Sequence, residues 1–312
     1  MASSSGNLSY EKLPCSITAE EAFRWLVKEF SIPSNTEDPE CRAIAKLLLT
    51  SLLEIPLHKW FLQKDDYLLT DSQIALVVEA KSRLLQGEPV QYILGQASFG
   101  SHVIRVAPGV LIPRPETEEL CHLVAKEWAG RYPKILDLGA GSGAISLYLT
   151  DALPASFCYA LELSPQALPI LKKNTENADP HSRKIKVLAG DFTSPSSFVY
   201  KLPPLDIVIS NPPYVMESEK KEMATQVLDH EPHTALFAPD GDPLFFYKAI
   251  LRLLPHLSLR PGARLYLEIN AKLAEQTKDL LLRHPLLSSV ELRNDMAGKP
   301  RFLLANIVVQ HN

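Results

Sequence analysis

Apolar and polar positions along this chain change their period twice. Over the first ~90 residues apolar side chains recur at helical spacing. Ala22, Phe23, Leu26 and Val27 follow a capping box made by Thr18 and Glu21. Ile44, Leu47, Leu48 and Leu52 follow Asp38-Pro39, a helix start with proline in the first turn. Ile74, Val77, Val78, Leu84 and Leu85 follow a second capping box, Thr70 with Gln73, and Gly87 stops that helix. All five are expected to face inward, and His58, Trp60 and Phe61, in an intervening turn, are expected to pack in the core. Two short strand-like runs come next, Val90-Gln91-Tyr92-Ile93-Leu94 and His102-Val103-Ile104-Arg105-Val106, with Gly95 and Gly100 between them. Beyond ~115 strands alternate with helices. The strands are expected near 134–138, 156–162, 185–189, 205–210, 264–269, 289–292 and 302–308. Helices are expected near 143–152, 165–177, 243–254 and 272–282. Alternation of this kind implies a mostly parallel sheet with helices on both faces. The last two strands lack a crossover helix between them and should pair antiparallel.

These shifts divide the chain into an expected disordered leader (1–16), a helical domain (17–88), a β-hairpin linker (89–112) and an α/β domain (113–312). The 312 residues suit two domains, and 46% hydrophobic with 22% charged residues is ordinary for a globular protein. A net charge of −4 argues against tight nonspecific nucleic-acid binding. Cys15, Cys41, Cys121 and Cys158 form no C-x-x-C pair, which fits a reducing compartment without structural zinc, and no metal site is expected. No apolar run is long enough to span a bilayer, and no targeting segment is evident. A cytoplasmic, bacterial-type protein is therefore expected, with a processed mitochondrial form as the alternative and a monomer favoured.

Candidate chemistry sits where the predicted strands end. Leu205–Ser210 runs into Asn211-Pro212-Pro213-Tyr214. Two prolines stiffen the turn, the Asn amide can both donate and accept, and the Tyr ring can stack on a planar group. Lys134–Leu138 runs into Gly139-Ala140-Gly141-Ser142-Gly143 and then a helix. Glycines at alternate positions let backbone approach a ligand closely. The spacing is G-x-G-x-G, not the G-x-G-x-x-G of a dinucleotide site. It resembles the S-adenosylmethionine loop of Rossmann-like methyltransferases. Glu162 ends the next strand about 20 residues on, the distance at which an acid meets ribose hydroxyls. Asp191 and Phe192 follow the strand after that, placed to flank an adenine.

In this order the motifs resemble a class I S-adenosylmethionine-dependent methyltransferase, and more closely the HemK/PrmC family of protein-glutamine N5-methyltransferases. Gly87–Gly95 resembles that family's linker signature. Val110–Glu118, with its Ile-Pro-Arg-Pro-Glu-Thr-Glu core, resembles its most specific motif. Glu231-Pro232 and Ala235–Phe237 resemble the segment after the active-site loop. The resemblance implies an amino-terminal substrate-recruiting domain, a β-hairpin and a Rossmann-like seven-stranded sheet whose last strand is antiparallel. Two segments depart from the pattern, Asp240–Leu244 and Glu268-Ile269-Asn270, and both are expected to lie outside the substrate and cofactor motifs.

The implied reaction moves a methyl from S-adenosylmethionine, leaving S-adenosylhomocysteine, to the glutamine side chain in the Gly-Gly-Gln loop of peptide-chain release factors. Asn211, Pro212 and Tyr214 are the expected catalytic residues, and with Pro213 they form the substrate site. Gly139, Ala140, Gly141, Ser142, Gly143, Glu162, Asp191, Phe192 and Asn211 are the expected cofactor residues. The Asn211 side-chain oxygen and the Pro212 carbonyl would each accept an amide N–H, and Tyr214 would pack on the amide. Arg114 and Glu118 have two readings: they close the site beside the cofactor's amino-acid end, or they pair with each other at i,i+4. The competing function is an N6-adenine DNA or RNA base methyltransferase, which uses a similar Asn-Pro-Pro-Tyr but usually carries a basic recognition domain.

Overall fold

Helical periodicity at the amino-terminal end closes into a small all-helical unit, and the strand-rich remainder closes into a larger one; they divide between Leu94 and Gly95. The computed structural model describes residues 16–30, 39–178, 184–194, 198–239 and 241–308. The expected leader up to residue 15, Cys15, Asp38 and Asp240 lie outside the described residues.

The first unit holds α1 (Ala19–Phe30), α2 (Pro39–Leu52), α3 (Trp60–Gln63), α4 (Asp71–Leu85) and α5 (Val90–Leu94). Both capping boxes form: Glu21 N–H donates to Thr18 Oγ1 while Thr18 N–H donates to Glu21, and Thr70 and Gln73 do the same. Its core gathers Ala22, Leu26, Leu48, Leu49, Trp60 and Val77. Three expectations fail here. Val90–Leu94 is a helix, not a strand, because the Pro89 carbonyl accepts from Tyr92 and Ile93 and Gly95, at φ +68°, ends the turn. Val78 and Leu85 are exposed, because the buried stripe of α4 runs through Val77, Ala80, Lys81 and Leu84 at i, i+3, i+4 and i+7. Phe61 is 70% exposed and His58 is exposed too, since only Trp60 in that short turn points inward, edge-on to Phe23.

In the second unit β1 (Gln96–Phe99) and β2 (His102–Arg105) form an antiparallel hairpin. There follow α6 (Pro115–Glu127), β3 (Lys134–Leu138), α7 (Ala144–Ala152), β4 (Phe157–Glu162), α8 (Ala167–Ala178), β5 (Ile185–Ala189) and β6 (Leu205–Ser210). The chain then adds α9 (Thr225–His230), α10 (His233–Leu236), α11 (Phe245–Leu253), β7 (Leu259–Glu268), α12 (Ala274–Leu282), β8 (Leu287–Asn294) and β9 (Pro300–Ile307). The strand order is β5-β4-β3-β6-β7-β9-β8, and β9 alone runs against its neighbours.

The strands are apolar on both faces because both faces are covered. Leu136, Val208, Leu265 and Leu303 face Tyr247, Ile250 and Leu281 of α11 and α12. Ile135, Ile207, Tyr266 and Leu304 face Leu120, Val124 and Leu149 of α6 and α7. Each such buried Leu or Ile is worth about 1.5–3 kcal/mol of transfer free energy.

Order of strands decides where a ligand can sit. The chain moves from β3 outward to β4 and β5, then returns to the other side of β3 with β6. The switch point is the gap between β3 and β6, where the crevice of an open α/β sheet opens. Leu138 pairs with Ser210 in register, and Ser210 Oγ donates to the Leu138 carbonyl at 2.7 Å. The Gly loop and Asn211 therefore leave the sheet side by side.

Candidate active site

A single row of residues crosses the carboxyl edge of the sheet. Ala189 pairs with Glu162, Leu161 with Leu138, Leu138 with Ser210, and Ser210 with Leu267. Gly190, Glu162, Gly139, Asn211 and Glu268 consequently stand at or just past one level.

The three loop glycines all have positive φ, at +73°, +57° and +88° for Gly139, Gly141 and Gly143, but they serve different ends. A Cβ on Gly143 would lie 2.7 Å from Leu171 Cδ1, so packing of α8 requires glycine there. A Cβ on Gly141 would meet no atom within 4 Å beyond its chain neighbours; it would point into open space. A Cβ on Gly139 would face the Phe192 ring at 3.8 Å. Ala140 and Ser142 are buried, and the Ser142 carbonyl accepts from Asn174 Nδ2, which also holds the Arg105 carbonyl. Asn174 thus pins the loop to the hairpin.

Glu162 fastens the loop from the next strand. Its Oε2 accepts from Gly141 N–H at 2.7 Å, and its Oε1 accepts from Leu163 and Ser164 N–H at 2.9 and 2.7 Å. A carboxylate offers about four lone-pair sites, so about one stays open to a further donor. Asp191 accepts twice on Oδ1, from Thr193 N–H and Oγ1. Phe192 beside it is buried against Phe246.

Asp137, inside β3, is fully buried. Ser146 Oγ donates to its Oδ2 at 2.7 Å, and its Oδ1 has no partner. Burial pushes its carboxyl up to about 7.

On the other side of the switch point Asn211 Nδ2 donates to Thr117 Oγ1 at 2.9 Å, and Thr117 Oγ1 donates to Glu268 Oε2 at 2.7 Å. Tyr214 Oη donates to Glu268 Oε1 at 2.8 Å. Asn270 Nδ2 donates to the Tyr214 carbonyl at 3.0 Å. Pro212 is buried and Pro213 half-buried between these anchored neighbours. Glu268 has no exposed surface, and burial raises its carboxyl above the usual range despite its two donors. Burial also raises the Tyr214 hydroxyl well above its ordinary value, with the Glu268 charge adding to it.

Two expectations need correction. Glu268 and Asn270 do not stand outside the substrate motif; they are bonded to it. Arg114 and Glu118 do not pair with each other. Arg114 Nη2 donates to Glu231 Oε1 at 2.6 Å, and Glu118 accepts from Gly100 N–H at 3.0 Å. Glu231 also accepts from Ile112 N–H at 3.1 Å, so one buried carboxylate clamps both ends of the Ile-Pro-Arg segment. The sequence assigns no individual role to Thr117, which stands only as part of the Ile-Pro-Arg-Pro-Glu-Thr-Glu core, nor to Asp137, and it sets Glu268 outside the substrate motif. For Asp137 a signal existed, a carboxylate within the run Ile135-Leu136-Asp137-Leu138, and for Glu268 a weaker one, a carboxylate between Leu265-Tyr266-Leu267 and Ile269.

The PrmC N-terminal domain model matches residues 21–95, and the Methyltransferase small domain model matches residues 117–248. A release factor glutamine methyltransferase of Bacteroides thetaiotaomicron is 40% identical over 269 residues, covering 86% of this chain and 93% of the relative. The chain belongs to the release factor glutamine methyltransferase family. Other members are similar across most of the same length. The MTRF1L release factor glutamine methyltransferase of Homo sapiens is 37% identical, over 75% of this chain and 72% of its own. That of Flavobacterium psychrophilum is 36% identical, over 72% and 77%. As in any methyltransferase, the site must hold a donor and an acceptor in line, and the switch point supplies a loop on one side and a polar turn on the other. No helix among the described residues of this family member is long and apolar enough to cross a membrane.

Proposed function

We propose that this chain transfers a methyl from S-adenosylmethionine to the side-chain amide nitrogen of the Gly-Gly-Gln glutamine in peptide-chain release factors. The observation that carries the reading is the side-by-side exit of the Gly loop and Asn211-Pro212-Pro213-Tyr214 from paired strands. Relatives named for a release factor glutamine favour an amide acceptor over a nucleic-acid base.

The residues present fit the donor. Gly141 opens to the crevice, Glu162 keeps a lone pair for a ribose hydroxyl, and Asp191 keeps its Oδ2 for an exocyclic amine. Gly139 and Phe192 would line the same pocket with Ala140, Ser142 and Gly143. When bound, S-adenosylmethionine would supply an electrophilic methyl on a sulfonium, the S–CH3 bond breaking as N–CH3 forms, with S-adenosylhomocysteine and one amide N–H proton, lost to water, as the other products.

An amide nitrogen is a poor nucleophile because its lone pair is shared with the carbonyl. The protein's task is to turn that nitrogen toward the methyl and hold it at near-attack distance. With its Nδ2 spent on Thr117, Asn211 presents Oδ1 as an acceptor. Oδ1 and the Pro212 carbonyl would take the two N–H bonds of the glutamine amide and stabilise positive charge as it develops on nitrogen. Tyr214, tied by its hydroxyl to Glu268, would present its ring to the amide plane. The helical unit would recruit the release factor, and the reading places the enzyme with translation in a bacterial-type cytoplasm.

The test is transfer of labelled methyl to a purified release factor beside a copy whose Gly-Gly-Gln glutamine is changed to alanine. Label on the first alone is the expected result. Equal label on both would move the acceptor elsewhere.

A further inference from the structure

We propose that Thr117 is a positioning residue of the transfer step, holding the Asn211 amide with its oxygen toward the substrate by relaying the acceptor-only character of buried Glu268. The inference rests on the amide-clamp reading above.

An asparagine amide can sit in either of two orientations that fill the same space, and its hydrogen-bond partners choose between them. Here the choice begins at Glu268. Both of its oxygens take a hydroxyl, Oε2 from Thr117 and Oε1 from Tyr214, and above the pH at which it gives up its own proton it has lone pairs only and must accept from both. Thr117 Oγ1 stands 2.7 Å from Glu268 Oε2 and must spend its single hydrogen there. What Thr117 has left is lone pairs. The Asn211 atom 2.9 Å away must therefore be the N–H2 nitrogen. Turned over, Asn211 would set its oxygen against a hydroxyl oxygen with no hydrogen between them. The same carboxylate fixes Tyr214, whose hydroxyl must donate to Oε1 at 2.8 Å. One buried acid thus decides the orientation of the residues on both sides of the two prolines.

The fold makes this arrangement stiff. Glu268 follows Leu267, the register partner of Ser210, so it is level with Asn211 on the neighbouring strand. Thr117 comes from the first turn of α6 and is buried. A valine at 117 keeps the shape and removes the hydroxyl. It leaves Asn211 free to turn over and, in half of its orientations, to offer the substrate a donor where an acceptor is needed.

The experiment compares wild type, Thr117→Val and Thr117→Ser for kcat and KM with a release factor, for S-adenosylmethionine affinity by calorimetry, and for unfolding midpoint. Thr117→Val is expected to lose about tenfold to a hundredfold in kcat, the scale of a misplaced reacting group, with cofactor affinity held within about twofold. Thr117→Ser, which keeps the hydroxyl, is expected to restore kcat to within about threefold of wild type. Unchanged kcat in Thr117→Val overturns the inference and leaves the function standing. So does a loss of cofactor affinity or of folding in step with kcat that serine fails to rescue, since that marks a purely structural role. Absence of transfer to the release factor by wild type itself, with cofactor bound, removes the underlying reading and the inference with it.

Discussion

Asn211 and Gly141 flank the switch point from opposite sides, and their substitution should fail in different ways. Asn211 is anchored through its side chain to Thr117. Removing its amide should cost transition-state stabilisation, about a hundredfold or more in kcat, with S-adenosylmethionine affinity nearly unchanged. Gly141 sits at φ +57° with open space before it. A valine there is strained and, on the proposed function, would fill the donor's space, so Gly141→Val should abolish cofactor binding as read by calorimetry. Equal loss of both properties in Asn211→Ala would take the residue out of the acceptor clamp. Asp137 gives the residue scale a pH signature. Its carboxyl is ionised above about pH 4 in an unfolded chain, whereas burial holds the proton to about pH 7 in the fold. Between those values the folded state binds the extra proton, so the contribution of Asp137 to stability falls as pH rises. Glu268, raised by burial as well, adds to the slope in the same direction. Asp137→Asn should flatten it: measured without cofactor, the variant's unfolding midpoint relative to wild type should be higher at pH 8 than at pH 5. A wild-type midpoint that climbs over this interval, with a variant that follows it, would show that Asp137 ionises freely.

At the scale of elements, the segment from Ile112 to Thr117 is held less by its prolines than by Glu231. That carboxylate lies in the link between α9 and α10 and takes Ile112 N–H and the Arg114 guanidinium. It is 1% exposed and Arg114 is 30% exposed, so removing the acid leaves a half-buried cation and the Ile112 N–H without their acceptor. Glu231→Ala should destabilise the second unit by about 3–5 kcal/mol in denaturant unfolding. The start of α6 should loosen with it, so kcat should fall even where the protein remains folded. A variant with wild-type stability and kcat would show that the prolines suffice. This clamp also marks the limit of reading the chain by itself. Strands 185–189 and 205–210 match the observed β5 and β6 end to end, because continuous apolar runs bounded by turn residues carry their own signal. Val90–Leu94, equally short, carries a similar apolar signal, and what turns it into a helix is local: the Pro89 carbonyl accepts from Tyr92 and Ile93 in its first turn and Gly95 ends it. The Gly loop and Asn-Pro-Pro-Tyr are local motifs and were legible. Arg114 meets Glu231 across 117 positions, and Thr117 meets Glu268 across 151. Local spacing favours Glu118 as the partner of Arg114, and only the closed sheet brings Glu231 to it. The strand β7 hid its acid for a related reason: a buried carboxylate inside an apolar strand is legible as an anomaly, but its partners come from α6 and the turn after β6.

At the scale of the whole molecule, the two units are built on separate cores. Ala22, Leu26, Leu48, Trp60 and Val77 pack among themselves in the first unit. The proposed site, from Thr117 to Glu268, belongs to the second unit, whose two apolar layers are built from residues between Phe99 and Ile307. The first unit also carries exposed Leu57, Phe61 and Leu62 around α3, apolar surface with no part in its own core. A chain that begins at Gly95 should therefore fold cooperatively and bind S-adenosylmethionine with the affinity of the full protein. If the helical unit recruits the release factor, the shortened chain should show a KM for the intact factor raised at least about tenfold, the cost of losing roughly 1.4 kcal/mol of docking. Its kcat/KM for a short Gly-Gly-Gln peptide, too small to reach a second site, should stay close to that of the full chain. Equal loss on peptide and intact factor would assign the helical unit to building the catalytic site. Equal retention on both would leave it without a role in recruitment, and the acceptor would then be chosen wholly by the crevice between β3 and β6.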